Sequence, residues 1–255
     1  MRILVIASIF FCLAGAAASG QAAPPTESAG ILILGDSNSE GPFGGTLYDT
    51  LRAMHEARSG AAIAVKMFAK CGAGANDWVE RDAANIDCGA WVCDDGRPAS
   101  SCRHSWGGTI PTLPELYADL HAERRVTLVV LGLNMIIGHR ARKLDDAVNL
   151  IAAIHAQHSA CIWIGPPQPG NLFVPPSVYE SFVDDLERTV TRNGCRYISS
   201  DDKTDRRNLG ENTKDDHYSK PDAEAWARKV LYELDHPVGR ADKPLSEILA
   251  GPEQE

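Results

Sequence analysis

Residues 31–41, ILILGDSNSEG, run four aliphatic side chains straight into Gly35-Asp36-Ser37. Ser37 thus follows a strand-like run either as a nucleophile or as a polar residue capping the next helix, since Ser and Asp are ordinary N-cap residues. A serine hydroxyl attacks poorly at neutral pH and needs a base within hydrogen-bond reach. His217 lies in TKDDHYSKPDAEAW, just before the last helical stretch, so a suitable fold can bring its imidazole to the same crevice. Two further polar blocks, AKCGAGANDW after residue 68 and GLNM at 132–135, also follow apolar runs directly.

The elements that would position these blocks alternate along the chain. Short runs rich in Ile, Val and Leu at 31–35, about 62–68, 126–132, 161–165 and 196–199 read as strands covered on both faces. Amphipathic stretches at 46–57, 113–123, 144–157, 177–193 and 220–235 read as helices. Such alternation predicts one parallel sheet of about five strands with helices on both faces, a three-layer α/β/α sandwich. Ligands in these sheets bind beyond the carboxyl ends of the strands, which is where the polar blocks fall.

The four blocks, in this order, resemble the SGNH-hydrolase superfamily, whose GDSL-type members are esterases and lipases. The resemblance runs from Gly35 to the final helix and implies a flavodoxin-like fold. It implies Ser37 as nucleophile and His217 as the general base that takes the Ser37 proton and returns it to the leaving alcohol. It further implies an oxyanion hole made by the backbone N–H of Ser37, the N–H of Gly72 and the Asn134 side chain, with Gly74 as the competing choice for the second donor. No cofactor or metal is implied.

Two blocks depart from the family pattern. Met135 follows Asn134 where an Asp is usual, and Lys214 stands three residues before His217 where the acid is usual. Residues two apart in an extended segment share a face, which favours Asp215 over Asp216 as the carboxylate that orients His217. Asp36 reads as a structural hydrogen-bonder.

The N-terminus, MRILVIASIFFCLAGAAASGQAAPP, reads as a signal peptide over residues 1–22, because its apolar part is too short to span a bilayer. Residues 23–255 then form a single domain that is secreted or periplasmic and has no integral membrane segment. Without the leader six cysteines remain, Cys71, Cys88, Cys93, Cys102, Cys161 and Cys195, and export favours disulfides. Cys161 and Cys195 open two strand-like runs and would lie side by side if those strands are parallel neighbours. Cys88, Cys93, Cys102 and His104 have spacings a zinc site could use, but CGAWVCDDGRPASSC reads better as a stapled loop within a Gly- and Cys-rich excursion at 68–112. The tail from about 236, rich in Pro, Gly and charge, is expected to be partly loose.

The formal charge of −9 argues against nucleic acid as partner. HRARK at 139–143 reads as a solvated helix start or an anion-holding patch, and His155 with His158 as a solvated helix face. Trp91, Trp106 and Tyr117 read as core or as a sugar-stacking wall, and GPPQPGN at 165–171 as a rim loop. The expectation is an exported serine esterase acting on a small ester or an acylated glycan. A lipase or lysophospholipase and a non-catalytic glycan-binding module are the alternatives. The sequence does not state an oligomeric form.

Overall fold

The structure, a computed structural model, describes residues 29–58, 63–79, 89–94, 96–105, 111–137, 139–170, 174–205, 207, 217–239 and 242–250. Its centre is one sheet of seven strands: β1 (Ala29–Gly35), β2 (Ala64–Lys70), β3 (Ala90–Cys93), β4 (Arg103–Ser105), β5 (Arg124–Val130), β6 (Ser159–Ile164) and β7 (Arg196–Ile198). Their order is β4-β3-β2-β1-β5-β6-β7. The five strands read from the sequence are mutually parallel and lie in the order β2-β1-β5-β6-β7. That is the flavodoxin-like arrangement, in which the chain reverses its direction of winding between β1 and β5.

Two strands correct the expected five, and the sheet is mixed rather than wholly parallel. β3 pairs antiparallel with β2, and β4 antiparallel with β3. Neither could be read from apolar periodicity. β4 is the exposed tripeptide Arg-His-Ser at the sheet edge, and β3 lies in the segment taken for a loop. A Cys93–Cys102 disulfide closes the hairpin between them.

The aliphatic runs are continuous because both sheet faces are covered. On β1, Leu32 and Leu34 enter one core while Ile31 and Ile33 enter the other, as the two-residue period of a strand requires. The first core is roofed by α2 (Leu113–Leu120), α4 (Arg140–Ala156) and α5 (Pro176–Arg192), the second by α1 (Pro42–Arg58), α6 (Lys220–Asp235) and α7 (Leu245–Ala250). A one-turn α3 (Leu133–Ile136) follows β5. Where the composition pointed to a loose tail, α7 returns to the sheet and buries Leu245 and Leu249.

Cys161 and Cys195 are bonded, with Cα atoms 4.7 Å apart. The register Ile162↔Arg196 between β6 and β7 sets them side by side, as their positions predicted. Closing a loop of this length contributes about 4 kcal/mol in the chain-entropy account, and it pins the shortest parallel strand to its neighbour. Cys71 is also disulfide-bonded. The leader and Cys12 lie outside the described residues, and among those described no helix is long and apolar enough to cross a membrane.

Candidate active site

The corner after β1 is a turn of four residues, not the first turn of a helix. α1 begins at Pro42, a residue suited to a first helical position because it lacks the N–H that would be unpaired there. Ser37 therefore lies in the turn before the helix and not at its N-cap. Asp36 holds the corner. The residue is 3% exposed, and its carboxylate accepts the Asn38 N–H at 3.0 Å and the Gly132 N–H from the loop after β5. The Ser39 N–H closes the turn on the Asp36 carbonyl. Gly44 lets α1 pass over this turn: a Cβ there would sit 2.0 Å from the Ser39 carbonyl oxygen.

His217 stands just before α6, and its Nε2 lies 2.9 Å from the Ser37 Oγ, across 180 residues of chain. The next residue, Tyr218, is buried and donates its hydroxyl to the Gln168 carbonyl at 2.7 Å, tying the histidine segment to the rim loop after β6. Trp226 of α6 packs between Tyr218 and Phe43 of α1, with a ring-centroid distance of 3.7 Å to Phe43. The two helices that flank the Ser37 and His217 segments are thereby locked together. Asp215 and Asp216, the two candidates for orienting His217, lie outside the described residues, as does Lys214.

The loop after β2 holds the expected second donor. Gly72 has φ +73°, the left-handed region that favours glycine, and its carbonyl accepts the Asn134 side-chain amide. The structure thus brings Gly72 and Asn134 together. Gly74 is committed elsewhere, because its N–H donates to the Asp77 carboxylate at 2.7 Å. The N–H groups of Ser37 and Gly72 make no hydrogen bond among the described residues. Asp77 is in turn paired with the buried Lys70 at 2.9 Å.

Sequence reasoning passed over Asp77 and Glu40. Glu40 is partly buried, and its Oε1 accepts no hydrogen bond among the described residues. Burial raises its pKa to about 7, while the backbone of Cys71 and the nearby His217 pull it back. A signal was present, since Glu40 follows Ser37 by three residues in the same segment.

The remaining sequence candidates separate cleanly. Arg140 pairs with Asp185 of α5, whereas the Lys143 ammonium would lie 3.4 Å from a Cβ placed on Gly74. Tyr117 is core, with its hydroxyl bonded to Thr127. Trp91 packs partly buried on β3, and Trp106 lies outside the described residues. His155 is on α4, but His158 follows the helix end at φ 55°, so the two do not share a helical face. No cluster of metal-ligating side chains occurs among the described residues.

No family profile matches the sequence, and no curated protein matches it. Solved structures do match. The esterase EstA from Pseudoalteromonas sp., in a structure inhibited by monoethylphosphonate, has a TM-score of 0.50 at 16% identity over 80% of this chain and 94% of its own. A peptidoglycan O-acetylesterase has a TM-score of 0.50 at 10% identity over 82% and 91%. The fold is that of the SGNH hydrolases. At these identities the likeness is one of fold.

Proposed function

We propose that the protein is an exported serine esterase of the SGNH type that hydrolyses carboxylic esters through an acyl-enzyme. The observation that carries this reading is the 2.9 Å contact between His217 Nε2 and Ser37 Oγ at the carboxyl end of β1. His217 takes the Ser37 proton as Oγ adds to the ester carbonyl, then returns it to the departing alkoxide. Water repeats the sequence on the acyl-enzyme and releases the acid. The oxyanion is met by the N–H groups of Ser37 and Gly72 and by the second amide proton of Asn134. Gly72 is preferred to Gly74, whose N–H already serves Asp77.

Asp215 is assigned the role of orienting His217, from its spacing in the sequence. The substrate assigned is a small acyl group, such as acetyl, on a carbohydrate or cell-wall glycan. The signal-like N-terminus and the disulfides Cys93–Cys102 and Cys161–Cys195 support the exported address. A fluorophosphonate probe should label the oxidised protein and fail to label Ser37→Ala. Turnover of p-nitrophenyl esters should fall steeply as the acyl chain lengthens beyond acetyl. A properly oxidised protein that neither labels nor turns over any ester would be a binding module on this fold.

A further inference from the structure

We propose that Glu40 is a positioning residue that sets the basicity of His217 through its charge, without touching substrate. The inference rests on the esterase reading above and adds a group to it. The turn that presents Ser37 folds the Glu40 side chain inward, where Oε1 is buried without a hydrogen-bond donor among the described residues. A carboxylate placed so is costly to ionise.

Two influences face the carboxylate from other elements. The Cys71 backbone comes from the loop after β2, and the His217 imidazole from the segment before α6. On its own turn, the Asp36 carboxylate accepts the Asn38 and Gly132 amides. The titratable group that answers Glu40 among the described residues is therefore His217, the one bonded to Ser37.

During reaction the proton passes from Ser37 Oγ to His217 Nε2 and on to the leaving alkoxide, so an imidazolium exists at both tetrahedral stages. An ionised Glu40 stabilises that cation and raises the proton affinity of the resting imidazole. It neither accepts the proton nor changes its own bonds. Burial raises the pKa of Glu40 to about 7, so its charge changes near neutral pH.

The test is Glu40→Gln, with Glu40→Met as a second neutral side chain of similar length and Glu40→Asp to restore the charge. In 15N-histidine-labelled protein, His217 should titrate about half a pH unit lower in both neutral variants and return towards wild type in Glu40→Asp. The acid limb of kcat/KM for p-nitrophenyl acetate should move down by the same amount, with the plateau reduced about fivefold. An unchanged His217 titration in Glu40→Gln and Glu40→Met overturns the proposal. The NMR readout needs no turnover. A wild-type protein inert to every ester but showing the shift would therefore sink the esterase reading and leave the coupling standing.

Discussion

The corner after β1 and the loop after β2 each carry an amide assigned to the oxyanion under the proposed mechanism, yet they are held in different ways. In the corner one group does both jobs: buried Asp36 gathers an amide of its own turn and one from the loop after β5. In the loop after β2 the task is divided between a carboxylate of its own and a distant amide. Asp77, 19% exposed and paired with Lys70, fixes Gly74, while Gly72 is clamped by Asn134, a side chain 62 residues away. The difference teaches that Asn134 has two duties under the proposed mechanism. It donates to the oxyanion, and it fixes the orientation of the glycine that supplies another donor.

That asymmetry makes Asn134→Ala the most damaging loop substitution for rate. We expect kcat on p-nitrophenyl acetate to fall about 1000-fold, at the upper end for one lost donor because the Gly72 amide is freed as well. The melting temperature should change little. A loss near tenfold in steady-state kinetics would break the double role.

Asp36→Ala should be the costliest of these changes for stability. It leaves the Asn38 and Gly132 N–H groups without their carboxylate, at about 3 kcal/mol, measurable by denaturant unfolding. Asp77→Ala should cost about 2 kcal/mol, less than Asp36→Ala because its site is partly open to water. Equal losses would show that the two loops are held alike.

Glu40→Gln should have the smallest effect, and of opposite sign. The folded-state pKa of Glu40, about 7, exceeds its ordinary value of 4.5, so the fold favours the protonated form. Stability therefore declines as pH rises between those two values, and above 7 the ionised group is a standing cost. Thermal unfolding at pH 8 should show Glu40→Gln more stable by on the order of 1 kcal/mol, discounted from the full shift because the group is partly exposed. The gain should vanish by about pH 4. A difference from wild type no larger at pH 8 than at pH 4 would contradict the burial cost.

Much of this architecture was legible because both faces of the parallel strands are buried. ILILG and VTLVVLG show as unbroken aliphatic runs, and the polar block after each marks a carboxyl end. β3 and β4 were not legible, since a three-residue edge strand facing water carries no apolar signature. Pro42 hid in plain view: read as the first helical residue, it places Ser37 in the preceding turn rather than on a cap.

The sequence by itself marked Ser37, Asn134 and His217, because each residue type stands where a strand ends or a helix is about to begin. It also paired Cys161 with Cys195, because parallel neighbours in register bring their first residues together. Tertiary structure alone decided what those residues meet. That His217 reaches Ser37, that Asn134 clamps Gly72, and that Glu40 is buried near the histidine all depend on loops from different strands converging. The physical reason is range. Burial and hydrogen bonding across 62 or 180 residues have no local pattern to betray them, whereas the hydrophobic period of a strand repeats within two.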